Sequence, residues 1–186
     1  MRWNHRRAII TGSIGALTLT AAAALPAAAT TGTATITAGS LTFVSSPPNV
    51  SFSVTLNGLD QTVSANEAID LGDATGSGAG WNLQATSTTF NSGAHTLSTA
   101  ATTMTGVPSD ACDGGATCSL ANNAIAYPYV LPAGAVAPLA TKFYDAAINS
   151  GMGDQTATAT WRLTVPASTF AGTYTSTWTI TLASAP

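Results

Sequence analysis

Tyr174-Thr175-Ser176-Thr177-Trp178-Thr179-Ile180-Thr181-Leu182-Ala183-Ser184-Ala185-Pro186 is the stretch on which the fold class turns. Tyr174, Ser176, Trp178, Ile180 and Leu182 fall on one side of a period-2 pattern and Thr175, Thr177, Thr179 and Thr181 on the other, as in a half-buried β-strand. Gly80-Trp81-Asn82-Leu83 repeats the pattern in mid-chain, with Trp81, Leu83 and Ala85 on one face and Asn82, Gln84 and Thr86 on the opposite one. A third copy alternates Ala157, Ala159, Trp161, Leu163 and Val165 with Thr156, Thr158, Thr160, Arg162 and Thr164. Small Ala neighbours leave room for an indole, so Trp81, Trp161 and Trp178 are expected in the core.

Working outward, short runs rich in Thr, Val, Ile and aromatics recur between Gly, Pro, Asn and Asp punctuation. They are residues 33–37, 41–44, 50–56, 68–71, 80–88, 125–131, 155–165 and 172–183. Asn57-Gly58 reads as a hairpin turn. Residues 136–148 are the best candidate for a turn or two of helix. Eight or more short, mostly antiparallel strands predict an all-β fold, a β-sandwich in preference to a barrel. Residues 91–150 are dense in Gly, Ala, Ser and Pro and form a central loop region, where binding groups usually reside. Its aromatics divide: Tyr127 and Tyr129 share a strand face with Leu131 and are expected in the core, whereas Lys142-Phe143-Tyr144-Asp145 suits either role.

Residues 1–29 read as a cleaved signal peptide, with Arg2, Arg6 and Arg7 ahead of an apolar run from Ala8 to Leu25 and a small-residue site at Ala27-Ala28-Ala29. Arg6-Arg7 permits a twin-arginine route, although the rest of that pattern is missing. Thr11, Gly12 and Gly15 interrupt the run and weigh against a retained membrane anchor. Residues 30–186 then form one domain with no membrane span, secreted to the cell surface. Beyond residue 29 the only Lys or Arg residues are Lys142 and Arg162, against all eight acids of the chain. A phosphate-binding surface needs clustered Lys and Arg, so no nucleic acid is expected as a partner. Attraction to anionic wall polymers is excluded by the same charges, and wall contact would rest on hydrogen bonds and apolar stacking.

Cys112 and Cys118, with five residues between them, are expected to form a disulfide in an exported chain, closing a short loop. A zinc site would need further Cys or His ligands, and His95 is the only histidine beyond the leader, so no metal and no cofactor are expected. Asp70 with Asp73 and Asp110 with Asp113 are spaced as carboxylate pairs but lie beside glycines, where Asp caps its own turn. With one candidate imidazole base and no Gly-x-Ser-x-Gly elbow, the chain is not expected to be an enzyme.

The Trp-bearing strands also carry a family resemblance. The chain resembles the WxL domain, a cell-surface module of Gram-positive bacteria marked by a proximal Gly-Trp-x-Leu and a distal Tyr-x3-aliphatic-Thr-Trp-x-Leu-x3-Pro. Gly80-Trp81-Asn82-Leu83 matches the first. In the second, Tyr174, Thr179, Leu182 and Pro186 match, with Trp178 in the aliphatic slot and Ile180 in the Trp slot. The resemblance implies binding residues at Trp81, Asn82, Leu83, Tyr174, Trp178, Ile180 and Leu182, and a module held non-covalently to peptidoglycan of the cell wall. No covalent sorting signal is expected, since Leu131-Pro132-Ala133-Gly134 lies mid-chain. The alternative it implies is a subunit of a surface complex with companion WxL proteins and a membrane-anchored partner, without wall affinity of its own.

Overall fold

The computed structural model describes residues 28–186. The signal-peptide reading falls almost wholly outside them. The chain divides into Met1–Thr35 and Ile36–Pro186, and every strand among the described residues belongs to the second unit. No helix occurs among the described residues, and none is long and apolar enough to cross a membrane.

The fold is a sandwich of two largely antiparallel sheets. The larger runs β1 (Leu41–Phe43), β2 (Gln61–Asp73), β11 (Gly153–Val165), β6 (Thr102–Met104) and β8 (Tyr129–Val130), with β7 (Ser109–Cys112) also on β11. The smaller places β3 (Trp81–Thr88) between β10 (Thr141–Ala146) and β12 (Trp178–Ser184), and β9 (Ala133–Gly134) joins β3 in parallel. A ribbon of β4 (Asn91–Ser92) and β5 (His95–Thr96) stands apart. The spine is the β2–β11 pair, in unbroken register from Gly153 opposite Asp73 to Val165 opposite Gln61. Because both strands alternate, their inward rows meet the inward row of β3 in one core. Ile69, Leu71, Ala157, Ala159 and Trp161 lie there against Trp81, Leu83 and Ala85.

Several elements differ from expectation, each for a local reason. Residues 136–148 hold a strand, β10, in place of a helical turn. Its register slips between Lys142 and Tyr144, a bulge that puts Phe143 and Tyr144 both inside and so erases the period-2 signal. Residues 33–37 and 50–56 form no strand; 33–37 are exposed, and in 50–56 only Val50 and Phe52 turn inward, with no backbone partner, the Thr55 carbonyl accepting from the Gln61 side chain instead. Alternation records burial of a face, and pairing needs a partner edge as well. Asn57-Gly58 makes a side-chain turn, Asn57 Oδ1 accepting from the Leu59 N–H, without a hairpin ladder. The strand expected over 172–183 starts only at Trp178.

The disulfide Cys112–Cys118 is present. The loop behind it is spent on structure rather than left open. Asn123 Oδ1 accepts from the Asp145 N–H, Asp145 Oδ1 accepts from the Ala124 N–H, and the Tyr127 hydroxyl donates to the Phe143 carbonyl, so the loop closes the outer edge of β10. Tyr129 and Leu131 are buried and Tyr127 half-buried, as their shared face requires.

Candidate functional site

The structure separates the two halves of the Trp-bearing motif. In the proximal half, Trp81 and Leu83 are fully buried, and the Trp81 indole donates to the Gly151 carbonyl at 2.8 Å and meets Tyr144 edge-on. Asn82 is not on an open face as strand alternation suggested. It is 4% exposed, donates to the Ala185 carbonyl at 2.6 Å and accepts from Gln84, because β3 is central in its sheet and covered on both sides. Gly80 accepts from the Ala185 N–H and Lys142 Nζ donates to the Pro186 backbone oxygen, so the proximal motif pins the last residues of the distal one. Leu182 packs half-buried on the same core.

Tyr174, Trp178 and Ile180 of the distal half lie at the surface end of the core and line an open groove. Its other wall is Pro47–Val50, and Phe90 and Glu67 complete it, over a volume of about 440 Å³. A second stretch of about 540 Å³ continues it past Phe52, Leu97, Leu163 and Phe170. Trp178 is half-buried. Its inner side meets Trp161 edge-on at 5.1 Å and Phe90 at 6.4 Å, while its outer side faces the groove. Trp178→Ala is therefore expected to cost about 2 to 3 kcal/mol, below the 3 to 5 typical of a fully buried Trp. A thermal melt reads this as a fall of several degrees with the folded baseline kept.

The groove exists because β12 is an edge strand. Thr175 and Asn91 exchange both backbone bonds, and Thr179, Thr181 and Ala183 continue that parity opposite Thr86, Gln84 and Asn82. The backbone groups of Trp178, Ile180 and Leu182 then point away from β3, and Pro47–Val50, the wall of the groove across from Trp178 and Ile180, forms no backbone bond to them.

On the other flank of the same segment, Thr88, Thr89, Asn91, Thr96, Thr175, Ser176 and Thr177 line a pocket of about 340 Å³ that holds no charged side chain. The hydroxyls of Thr89, Thr96 and Thr177, three residues of its lining, make no hydrogen bond among the described residues. Residues 174–178 are thus a ridge between pocket and groove, with Thr175, Ser176 and Thr177 lining both and the Tyr174 and Trp178 rings lining only the groove. The alternation that identified the strand puts Tyr174 and Trp178 on one side, and only the fold supplies the opposite walls.

Glu67 is the polar group that sequence reasoning missed. It is 2% exposed on β2, and its Oε2 accepts from the Trp161 Nε1–H at 2.7 Å. Burial pushes its carboxyl up to about 7, against a smaller downward pull from the Trp161 hydrogen bond. The signal was available, a lone acid on the inward parity of β2 with Ile69 and Leu71, but only pairing with β11 shows what it faces.

The carboxylates group differently from their spacing. Asp73 does cap its own turn, accepting from the Thr75 N–H and hydroxyl. Asp70, by contrast, sits within β2, and Asp110 within β7, where it accepts from the Ala121 N–H. The strand pairing brings Asp70, Asp113 and Asp154 together, with one oxygen of each within 4.8 Å of the others. Oxygen donors of this kind suit a hard divalent cation. Desolvation raises the Asp70 carboxyl above its usual range, the Ser45 hydroxyl draws it back, and the Asp113 and Asp154 charges add to the rise. His95 is exposed and stacks on Phe170 at 3.9 Å.

Comparison with protein-family models, with curated proteins and with solved structures finds no match to this chain.

Proposed function

We propose that this protein is a non-covalent attachment module that binds peptidoglycan of the Gram-positive cell wall, acting outside the cell. The observation that carries the reading is the ridge at residues 174–178, with threonines whose hydroxyls are unspent lining a pocket on one flank and Trp178, Tyr174 and Phe90 lining a groove on the other. A glycan offers the complementary chemistry: hydroxyl and acetamido groups for the polar flank and apolar ring faces for the aromatic one. Neither flank supplies a cation, so attraction to wall phosphates has no part in it. The disulfide fits an oxidising compartment.

The test is sedimentation of the purified protein with peptidoglycan sacculi. The protein is expected in the pellet at both low and high salt, since hydrogen bonds and stacking are little screened. Thr177→Val, which removes a hydroxyl of the polar flank at constant volume, is expected to weaken pelleting severalfold at an unchanged melting temperature. Protein that stays in the supernatant at both salts sinks the reading.

The free edge of β12 favours a second reading, in which the domain is a subunit of a surface complex and a companion protein adds a strand along Trp178, Ile180 and Leu182. Failure to pellet alone, with pelleting restored by a companion surface protein, decides for it.

A further inference from the structure

Glu67 is a charge-bearing group buried without a counter-ion. Its one hydrogen bond among the described residues comes from a neutral indole. Lys142 is committed to Pro186, and Arg162 alternates to the far face of β11 from Trp161. The groups around the carboxyl are otherwise apolar or uncharged. Trp161 and Ala159 face it from β11, Trp178 and Ile180 from β12, and Phe90, Pro47, Pro48, Asn49 and Val50 from the groove walls. Tyr174 is the only other titratable side chain lining this part of the groove, and its hydroxyl is spent on the Phe170 carbonyl. A buried carboxyl that served only to hold the Trp161 indole could be replaced by a neutral acceptor without the cost of desolvating a charge. This one also forms part of the lining of an open groove.

We propose that Glu67, with the Trp178 and Phe90 rings beside it, is a binding site for a primary ammonium group carried on an alkyl stem that lies along the groove. The charges are complementary, since the groove offers one carboxyl and no cation. The ammonium, with three donors, forms a charge-assisted hydrogen bond to the carboxylate and rests against aromatic faces that also attract cations. Identifying the carrier rests on the wall reading: uncrosslinked peptides of peptidoglycan bear amino groups on short alkyl stems. The glycan then occupies the hydroxyl flank of residues 174–178 and the peptide amine the aromatic flank.

The probe is n-hexylammonium, with hexan-1-ol as its neutral counterpart, followed by the NMR resonance of the Trp161 Nε1–H, which sits on Glu67. Hexylammonium is expected to shift that resonance saturably at pH 8, and hexan-1-ol to bind about ten- to a hundredfold more weakly, the worth of a charge-assisted hydrogen bond. Glu67→Gln keeps an acceptor for the indole, so it is expected to stay folded while losing the preference for the cation. Protonation removes the partner, so affinity is expected to fall about tenfold per unit as pH drops below about 7. Equal affinity for the two probes, or a preference that survives in Glu67→Gln, overturns the proposal.

Sacculi separate the two readings. Acetylating their amines is expected to weaken pelleting of the wild-type protein to the level of Glu67→Gln on untreated sacculi. Unchanged pelleting on acetylated sacculi, together with equal probe affinities, removes the ammonium site and leaves wall binding standing. Cation-selective binding of hexylammonium by a protein that never pellets does the reverse.

Discussion

Gly80→Ala is expected to lower the melting temperature by about 10 °C or more, although it adds a single methyl group. Gly80 sits at φ +75°, in the left-handed region, and an added Cβ would fall inside contact distance of the Ala146 carbonyl oxygen, with the Ala147 carbonyl close behind. A left-handed backbone costs an L-residue about 1 to 2 kcal/mol, and forcing a methyl against a packed neighbour adds about 1 to 3. Backbone oxygens cannot swing aside as a side-chain end can, so the steric share lies at the top of its range and the sum lands near 4 to 5 kcal/mol, a large share of a marginal domain's stability. At about 2 to 4 °C per kcal/mol for a chain of this size, a melt followed by far-UV circular dichroism resolves it easily. Gly58→Ala is the control. It has the same left-handed backbone, at φ +81°, but open space around the Cβ, so it is expected to lose only the conformational part. Equal losses at the two positions would remove the steric account of the glycine in Gly-Trp-x-Leu.

The second large effect is at the neighbouring residue. Trp81→Ala is expected to cost about 4 to 5 kcal/mol, at the upper end for deleting a buried aromatic, because the side chain is fully buried between Tyr144 and the turn at Gly151. The Gly151 carbonyl is not orphaned by the change, since Gln155 Nε2 also donates to it at 2.7 Å. Most of the loss is therefore cavity and lost packing. Trp81→Phe, which refills much of the volume and gives up the indole N–H, is expected to recover more than half of it. Chemical denaturation at constant m-value measures both. A Trp81→Ala protein within about 1 kcal/mol of wild type would show that the proximal indole is no part of the core. The contrast with Trp178 follows from topology alone. Both indoles are in strands of one sheet, but β3 is flanked on both sides and β12 on one, so the same residue type is core in the first and half core, half groove wall in the second.

The sequence by itself determined the fold class and the faces. Period-2 alternation in residues 153–165 and 178–184 fixed which side chains turn inward, because a strand offers only two directions. Two cysteines in a chain read as exported left one pairing. Where both faces are covered the rule fails. Asn82 and Thr86, on the polar parity of β3, are buried, since a central strand beneath the chain's last residues and Pro138 has no solvent face. Where a bulge intervenes, as at Phe143, the period disappears from the sequence altogether. Only the tertiary structure decided that residues 50–56 stay without a partner strand, that the edge of β12 is left unpaired, and that Glu67 lines the groove beside it as an uncompensated acid. Those facts depend on which strands become neighbours. Register between segments about a hundred residues apart, such as Glu67 opposite Ala159, is set by the packing of the whole core and leaves no mark on either segment alone.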